Sequence, residues 1–366
     1  MKLPTKLNQY LVFCAVVCVG ACDQKTTSNS SETEAETDTD SLGAISQPLV
    51  TDLYTADPSA HVFNGKIYIY PSHDFDAGIP ANDNGDHFGM VDYHVYSMDK
   101  IGGPVTDHGI ALHIDNVPWA GRQMWAPDAA LKDGKYFFYF PAKDKEDVFR
   151  IGVAVAATPN GPFTPMDQPI EGSYSIDPAV FTDADGSSYM YFGGIWGGQL
   201  QRWETGEYVS YDSFPAGDQP AIRPRVAKMN DDMLGFAEDV RQVDILDENG
   251  APLLAADNNR RFFEAAWVHK YNGKYYFSYS TGDTHFICYA TGDNPYGPFT
   301  YQGVVLNPVI GWTNHHSIVE VDGKWYLFYH DSTLSGGQTH LRNIKVTELT
   351  HRPDGSIVTI DPYTKK

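Results

Sequence analysis

Asn272-Gly273-Lys274-Tyr275-Tyr276-Phe277-Ser278-Tyr279 is the stretch that decides the fold, because its pattern occurs five times in the chain. In each copy, Asn-Gly or Asp-Gly precedes a run that is rich in aromatic residues. Both dipeptides tolerate positive φ at the two central positions of a tight turn, so they favour β-hairpins. The aromatic runs favour buried strands. The other four turns are Asn64-Gly65, Asp133-Gly134, Asp185-Gly186 and Asp322-Gly323.

The spacing of these hairpins indicates how many strands surround each one. The hairpin glycines lie 69, 52, 87 and 50 residues apart, which leaves room for one four-stranded sheet around each hairpin. A second repeat supports this, since the segment 157–164 recurs with a longer loop as 290–300. The repeats predict an all-β chain that forms a five-bladed β-propeller over residues 46–366. A β-sandwich with several hairpins is the alternative.

The first 22 residues have the pattern of a bacterial lipoprotein signal peptide. Lys2 and Lys6 precede the apolar run 11–19, and small residues lead directly to Cys22. The run is short for a membrane-spanning helix and typical of a signal sequence. The pattern predicts export, lipid attachment to the Cys22 thiol and anchoring at an outer-membrane, periplasmic or cell-surface face. An ordinary signal peptide is the alternative.

Residues 23–45 are predicted to form a disordered tether, because most of this segment is Ser, Thr, Asp and Glu.

The net charge of the chain excludes one class of partner, and its cysteine content indicates the role of Cys288. The chain has 26 Lys and Arg against 47 Asp and Glu, a net charge of −21. Such a surface repels polyanions, so we exclude nucleic acid as a partner and expect membrane contact only through the lipid anchor. Cys288, which follows an apolar pair, is predicted to be a core thiol.

An ionisable residue precedes each hairpin glycine by six to nine positions. These residues are Asp57, Asp128, Asp177, Glu264 and His315. Equivalent positions of all propeller blades converge on the axis, so we expect a polar ring at one mouth of the central channel. Buried carboxylates are costly unless they are paired or used in function. Two of them across a pocket suit glycosidic bond cleavage, in which a protonated carboxyl assists the leaving oxygen and an ionised one activates water.

The segments around these residues resemble, in order, the blade motifs of glycoside hydrolase family 43. They are Ala56-Asp57-Pro58-Ser59, Trp125-Ala126-Pro127-Asp128, Ile176-Asp177-Pro178, Phe263-Glu264-Ala265-Ala266-Trp267 and Asn314-His315-His316-Ser317. The resemblance covers about residues 50–350 and implies a five-bladed propeller and an inverting mechanism. It implies Asp57 as general base, Glu264 as general acid, and Asp177 as the residue that orients the acid and tunes its pKa.

The resemblance also implies which residues contact the substrate or a metal ion. Asp128, Trp125, Arg342 and His316 are expected to bind the sugar, with core packing as the alternative for Trp125 and a rim salt bridge for Arg342. His315 is expected to hold a calcium ion or waters on the axis, or else to hydrogen-bond a carboxylate. No cofactor is required by this interpretation, and any calcium would be structural or axial.

The expected activity is exo-acting release of terminal β-D-xylose or α-L-arabinofuranose from plant or algal polysaccharide fragments. Two long segments, 74–92 and 196–244, are expected to wall the cleft and favour a closed pocket. An endo-arabinanase, which needs an open groove, is one alternative, and a non-catalytic glycan-binding surface lipoprotein is another. The sequence leaves the choice between xylose and arabinofuranose open, because their hydroxyl groups overlap.

Overall fold

The computed structural model describes residues 42–282 and 284–365. The predicted signal peptide, Cys22 and most of the predicted tether therefore lie outside the described residues. Leu42–Ala44, however, forms a strand that pairs antiparallel with Tyr363–Lys365. The predicted end of the tether at residue 45 is therefore wrong, because the C-terminal strand satisfies backbone hydrogen-bonding groups of these residues and makes them part of the fold.

Apart from the pair formed by Leu42–Ala44 and Tyr363–Lys365, the described strands form five sheets that follow one another along the chain. Blade 1 contains Tyr54–Phe63, Lys66–Asp74, Asp92–Met98 and Thr106–His113. Blade 2 contains Asp128–Lys132, Lys135–Asp144, Phe149–Ala156 and Thr164–Pro165, with Ala120–Arg122 as an added strand. Blade 3 contains Ala179–Thr182, Ser188–Phe192, Arg225–Lys228 and Arg241–Gln242. Blade 4 contains Phe262–Tyr271, Lys274–Thr281, Ile287–Gly292 and Phe299–Leu306, with Ile245–Leu246 parallel to the last strand. Blade 5 contains His316–Val321, Lys324–Asp331 and Asn343–Leu349.

The first strands of the five blades contact one another in a closed cycle. Blade 1 contacts blade 2, and the contacts continue through blades 3, 4 and 5 back to blade 1. The predicted five-bladed β-propeller is confirmed. Blade 5 has three strands rather than the four expected. The segment before blade 1 and the start of the first strand of blade 1 lie beside the last strand of blade 5. There the N–H of Leu49 donates to the carbonyl of Ile344 and the N–H of Thr55 to that of Arg342, both at 2.9 Å.

Four of the five hairpins have the predicted two-residue turn. The first turn residue has a φ of 50° to 54°, and the glycine that follows has a φ of 74° to 79°. These values are typical of the type I′ turn, which matches the twist of the flanking strands. Blade 3 differs, because its strands end and resume at Thr182 and Ser188. The predicted tight turn at Asp185-Gly186 is therefore a five-residue loop. In this loop the N–H of Gly186 donates a hydrogen bond to the carbonyl oxygen of Asp183 at 2.9 Å.

The segment 196–244 is not an insertion outside the blades. It supplies the third and fourth strands of blade 3, so only the part up to residue 224 lies outside the sheet. That part begins with the 3₁₀ turns Trp196–Gly198 and Leu200–Arg202. The other described 3₁₀ turns are Ile114–Asn116 and Thr333–Ser335. None of the described helices combines the length and apolar character needed to cross a membrane.

The core consists of aromatic residues packed between adjacent blades. Tyr70 of blade 1 lies 5.9 Å from Phe138 of blade 2, and Tyr191 of blade 3 lies 5.8 Å from Phe277 of blade 4, measured between ring centroids. Cys288 is buried in the same core, and burial raises the pKa of its thiol to about 12. The thiol is therefore not ionised at neutral pH, which agrees with the predicted role in packing.

Candidate active site

Asp57 lies at an irregularity in the first strand of blade 1. The pairing register with the second strand shifts between Ala56 and Ser59, and Asp57 has a φ of 50°. A bulge of this kind takes a side chain out of the normal alternation and aims it elsewhere. Here it brings the Asp57 carboxylate against side chains of blade 5. Left-handed backbone at a residue other than glycine costs free energy and is typical of functional sites.

Blades 3 and 4 present Asp177 and Glu264 in a similar way. Asp177, which precedes a proline, has a φ of 57°. In blade 4 the register shifts on both sides of Glu264, and Ala265 has a φ of 61°. The N–H of Ala265 donates to Oδ2 of Asp177 at 2.8 Å. The bulge therefore aims Glu264 and also ties blade 4 to blade 3.

Asp57 is held as a carboxylate by a buried arginine. Arg342 Nη1 donates to Asp57 Oδ1 at 2.9 Å, and the hydroxyl of Ser72 donates to Oδ2 at 2.7 Å. Burial by itself raises the pKa of Asp57, but the positive charge of Arg342, with smaller contributions from its histidine neighbours and Ser72, leaves the pKa below its ordinary value. Asp57 is therefore ionised at neutral pH and can accept a proton from water.

Arg342 is itself fixed by Asp74, the last residue of the second strand of blade 1. Nε and Nη2 of Arg342 donate to the two carboxylate oxygens of Asp74, each at 2.8 Å. Such a two-point contact fixes the orientation of a guanidinium group. Arg342 is only 3% exposed, so the alternative of a rim salt bridge is wrong. Direct contact between Arg342 and a sugar remains a prediction.

His330 supports Asp57 from the backbone side, and the sequence analysis missed it. Its Nδ1 accepts the N–H of Asp57 at 3.0 Å, and its Nε2 lies 3.1 Å from the carbonyl oxygen of Thr313. This pattern requires a neutral ring with its proton on Nε2. Burial, followed by the charge of Arg342, lowers the pKa of His330 to about 3, which agrees with the neutral form.

A sequence signal for this support does exist. His330 and Ser72 each lie seven residues after the hairpin glycine of their blade. The second strand of each hairpin runs back beside the first, so residues at this distance return to the level of the ionisable ring. Counting forward as well as backward from the turns would have found both residues.

Glu264 is the carboxyl that keeps a proton. Burial, followed by the negative charge of Asp57, raises the pKa of Glu264 to about 8. Burial and Glu264 likewise raise the pKa of Asp177, so these two carboxyls together retain a proton at neutral pH. Asp177 accepts the N–H of Ala265, and a hydrogen bond to a carboxylate favours its ionised form. We therefore place the proton on Glu264.

His315 lies between the two aspartates. Its Nδ1 is 3.7 Å from Oδ1 of Asp57 and 3.8 Å from Oδ2 of Asp177. Burial, together with the charge of Arg342, lowers the pKa of His315 to about 4, despite the opposing charge of Asp57. The ring is therefore neutral at pH 7, and a hydrogen bond or a water-bridged contact to a carboxylate is within its reach.

The residues around His315 do not form a cage for calcium. Calcium prefers six to eight oxygen ligands, whereas His315 offers one nitrogen. Across 42–282 and 284–365, His315 belongs to no group of three histidine, cysteine or carboxylate ligands with atoms close enough to share one ion. Protein side chains alone therefore do not fit a calcium ion at this position.

Asp128 lies in the structural network between blades, contrary to its predicted contact with the sugar. Its Oδ1 accepts hydrogen bonds from Ser59 and, at 2.7 Å, from His61, and its Oδ2 accepts the N–H of Val180. Both carboxylate oxygens are engaged, and Asp128 is 1% exposed. The residue therefore joins blades 1, 2 and 3 instead of binding substrate.

His316 is also misplaced by the sequence prediction. Successive residues of a strand point to opposite faces, so His316 points away from the side on which His315 meets the aspartates. Its Nε2 lies 2.6 Å from the hydroxyl of Ser278, and the residue is 1% exposed. His316 therefore packs between blades 4 and 5.

Trp125 lies beneath the rim segment 75–91. Its Nε1 donates to the carbonyl of Phe88 at 2.8 Å, and its ring lies 4.7 Å from that of Phe149. The rim can approach this closely only because residue 85 is glycine, since a Cβ there would lie 2.5 Å from the indole. Trp125 is 9% exposed, which fits the core-packing alternative. Stacking on a sugar remains a prediction.

Two half-buried tryptophans pack against Phe263, the residue before Glu264. The sequence analysis placed Trp196 only within a segment expected to wall the cleft, and it gave Trp312 no role. Trp196 and Trp312 are stacked with their ring centroids 5.4 Å apart, and both pack against Phe263 at 5.6 and 5.7 Å. Trp196 has a φ of 57°, an outlier for so large a side chain. The side-chain Nε2 of Gln201 donates a hydrogen bond to the carbonyl oxygen of Trp196, and the two atoms are 3.0 Å apart.

Comparison with known proteins agrees with this arrangement of carboxyl groups. Residues 48–357 match the family described as glycosyl hydrolases family 43. The chain belongs to glycoside hydrolase family 43. The family resemblance of the five blade motifs is thereby confirmed.

Several known proteins are similar to this chain over almost their whole length. A xylosidase/arabinosidase of Bacteroides ovatus is 62% identical, over 86% of this chain and 97% of the relative. Xylosidase/arabinosidase 43A of Humicola insolens is 61% identical, over 86% of this chain and 99% of the relative. A crystal structure of a family 43 β-xylosidase/α-arabinofuranosidase from a compost microbial metagenome, in complex with xylotriose and in calcium-free form, is 71% identical. It superimposes with a TM-score of 0.86 over 88% of this chain and 99% of that chain.

Proposed function

We propose that this family 43 enzyme is an exo-acting, inverting glycoside hydrolase that releases terminal β-D-xylose or α-L-arabinofuranose from plant or algal polysaccharide fragments. The observation that carries the proposal is the opposite state of two carboxyl groups in one site. Arg342 keeps Asp57 ionised, while burial and the charge of Asp57 keep Glu264 protonated. The similar xylosidase/arabinosidases support the choice of sugar.

The ionised Asp57 and the protonated Glu264 supply the two proton transfers that hydrolysis by a single displacement at the anomeric carbon requires. Asp57 takes a proton from a water molecule while the water oxygen attacks the anomeric carbon. The bond from that carbon to the leaving oxygen breaks, and Glu264 gives its proton to the leaving oxygen. The water approaches from the face opposite the leaving group, so the released sugar has the inverted anomeric configuration. Glu264 then regains a proton from solvent, and Asp57 loses one.

The remaining residues of the site hold the two carboxyls in place. Asp177 fixes the Ala265 backbone next to Glu264 and contributes negative charge that favours the protonated acid. Arg342 fixes one oxygen of Asp57, and Ser72 fixes the other. A general base held at two oxygens keeps one orientation towards the attacking water, and accurate orientation is a large part of the rate.

The same observations argue against a protein that only binds glycans. Binding needs neither a carboxyl with a raised pKa nor a second one with a lowered pKa in the same site. The aromatic pair Trp196 and Trp312 packs on Phe263, the residue before Glu264, and aromatic faces stack on sugar rings. We therefore assign Trp196 and Trp312 to the leaving-group side of the pocket.

Hydrolysis of aryl β-D-xyloside and aryl α-L-arabinofuranoside tests the proposal. We expect release from at least one of the two by the wild-type protein, and loss of release from natural xylo-oligosaccharides in Glu264→Gln. Glu320→Gln, an exposed change in blade 5, is the matched control and should retain full activity. Binding of xylo-oligosaccharides without any hydrolysis by the wild type would overturn the proposal in favour of a binding protein.

Calcium enters the proposal only as an ion held mainly by water beside His315. The support is that one similar structure is described as a calcium-free form, together with the position of His315 between the two aspartates. Calorimetric titration of chelator-treated protein with calcium should show one site, weakened in His315→Ala. Absence of binding in the wild type, or equal affinity in the variant, would remove calcium from this position.

We also propose that the enzyme is exported and anchored to a membrane through lipidated Cys22. The support is the order of basic residues, apolar run and small residues before Cys22 in the sequence. Anchoring would hold the catalytic domain at a surface where polysaccharide fragments arrive.

A further inference from the structure

Blade 1 carries a second cluster of ionisable side chains, separate from the Asp57 and Glu264 pair. His73 lies near the end of the second strand, and Asp92 and His94 lie at the start of the third. One potential ligand atom from each of the three lies within 4.8 Å of the other two. Two imidazoles and one carboxylate so close together form a donor set that divalent transition metals prefer.

The cluster is built in the manner of a metal site, because two of its ligands already contact each other and the third is oriented by a carboxylate outside the cluster. His73 Nδ1 and Asp92 Oδ1 are 2.6 Å apart, and Asp92 is 7% exposed. His94 Nδ1 lies 3.1 and 3.0 Å from the two oxygens of Asp107. Metal-binding histidines commonly donate their second ring nitrogen to a carboxylate in this way. Asp107 therefore fixes the His94 ring and leaves Nε2 free to coordinate.

The charge of the cluster also favours a cation. Within the part of the chain that the structure describes, the ion-pair partners of Asp92 and Asp107 are His73 and His94, and no Lys or Arg pairs with either carboxylate. Asp92 and Asp107 thus bring two carboxylate groups into a partly buried position. One divalent cation would neutralise them and satisfy the oxygen and nitrogen donors together.

We propose that His73, Asp92 and His94 form a binding site for a divalent transition-metal ion of the zinc or cobalt type, with Asp107 as its supporting residue. Nitrogen donors suit these ions better than they suit calcium or magnesium, which separates this site from the axial position of His315. Three protein ligands leave at least one coordination position for water.

The position of the site gives the ion a structural consequence. His73 lies between Ser72, which holds Asp57, and Asp74, which holds Arg342. An ion bound to His73 would restrain the end of this strand and with it both supports of the general base. The ion lies outside the proton transfers of Asp57 and Glu264, so hydrolysis does not pass through it.

Titration of the purified full chain with cobalt(II), in calcium-containing buffer that fills any axial site, tests the proposal. The visible absorption of cobalt bound to nitrogen and oxygen ligands reports binding directly. We expect a saturable signal at one equivalent in the wild type, loss of the signal in His94→Ala and Asp92→Asn, and affinity about 10-fold to 100-fold lower in Asp107→Asn. His113→Ala is the matched control, because His113 lies on the fourth strand of the same blade and pairs with Asp115.

The controls separate this site from other histidines and from damage to the fold. His113→Ala and His315→Ala should retain the cobalt signal, and His94→Ala should retain the circular dichroism and thermal unfolding of the metal-free wild type. No signal in the wild type, or an unchanged signal in both His94→Ala and Asp92→Asn, would overturn the proposal. Loss of the signal in His315→Ala or His113→Ala would assign the ion elsewhere and would overturn it equally.

Discussion

A single guanidinium group separates the roles of two carboxyls in this site. Asp57 and Glu264 are both buried, and burial alone would raise the pKa of each. Arg342 lies 2.9 Å from Asp57, so that carboxyl stays ionised, and the resulting negative charge helps to keep Glu264 protonated. The base therefore contributes to the state of the acid, and both depend on the contact between Arg342 and Asp74.

The pH dependence of kcat/KM should follow from these shifts. Asp57 must be ionised, so activity falls only when pH drops below its lowered pKa. Glu264 must be protonated, so activity falls as pH rises through about 8. Asp177→Asn removes a neighbouring negative charge, lowers the pKa of Glu264 and should move the upper limb of the profile to lower pH. Rates measured on an aryl xyloside across the pH range check this.

Asp185→Asn, in the outer loop of blade 3, is the control for that profile and should leave it unchanged. An upper limb in Asp177→Asn that coincides with the wild type, or that moves to higher pH, would show that Asp177 does not tune the acid.

For single residues, the sequence predicts the catalytic carboxyl groups better than it predicts the residues that contact them. Asp57, Asp177 and Glu264 could be found because each keeps register with a hairpin glycine. Asp128 also precedes a hairpin glycine, but its carboxylate oxygens are engaged by contacts with neighbouring blades, which no local pattern reveals. The partnership of Asp74 with Arg342 was missed for the same reason, since the two residues lie at opposite ends of the chain.

The elements that carry the catalytic residues are irregular strands. Register shifts at Asp57 and Glu264 take these side chains out of the normal alternation of a strand and aim them at the site. The sequence shows Asp-Pro and Glu-Ala at these places but not the bulges, because a bulge depends on pairing with the next strand. The five-residue turn of blade 3 escaped prediction for a similar reason, since Asp-Gly is compatible with longer loops too.

The 3₁₀ turn Trp196–Gly198 should determine how well the enzyme uses oligosaccharides. Trp196→Ala removes the stacking surface for the leaving sugar, so kcat/KM on xylotriose should fall about tenfold, equivalent to about 1.4 kcal/mol. Xylosyl fluoride has no leaving sugar and should be hydrolysed at the wild-type rate. Equal losses of kcat/KM on both substrates would indicate damage to Glu264 rather than loss of the stacking surface for the leaving sugar. An unchanged kcat/KM on xylotriose would show that Trp196 does not line the pocket.

The tight hairpins should matter for stability and not for chemistry. Gly273 has a φ of 79°, and a Cβ there would meet no atom within 4 Å. Gly273→Ala therefore costs only backbone strain, about 1–2 kcal/mol, and should lower the temperature of thermal unfolding by a few degrees. The activity at 25 °C should be unchanged. Lys274→Ala, an exposed neighbour, is the control, and equal unfolding temperatures for the two variants would contradict this account of the turn.

The whole molecule works by bringing distant segments to one axis. Five first strands in a closed cycle place residues from blades 1, 3, 4 and 5 around one site. The number of blades could be predicted, because each has an Asn-Gly or Asp-Gly dipeptide between its first two strands. The closing contact of Leu49 with blade 5 could not, because the stretch before blade 1 has no strand pattern of its own and is fixed by the last blade.

Anchoring is a property of the full-length chain and is tested at that scale. Cys22→Ser removes the thiol that would carry the lipid, so the variant should move from the membrane fraction to the soluble fraction after cell lysis. Aryl glycosidase activity of the two forms should be equal per molecule, since the catalytic domain is unchanged. A variant that still sediments with membranes after removal of its signal sequence would contradict lipid attachment at Cys22.

The central claim is that Glu264 protonates the leaving oxygen while Asp57 activates the water. The most direct test compares Glu264→Ala and Asp57→Ala on xylobiose and on dinitrophenyl β-D-xyloside, whose leaving group departs without protonation. Glu264→Ala should lose far more rate on xylobiose than on the dinitrophenyl substrate. Asp57→Ala should lose about 10²–10⁴-fold on both, because every substrate needs the water. If Glu264→Ala loses the same factor on both substrates, or if Asp57→Ala keeps its activity on xylobiose, the assigned roles are wrong.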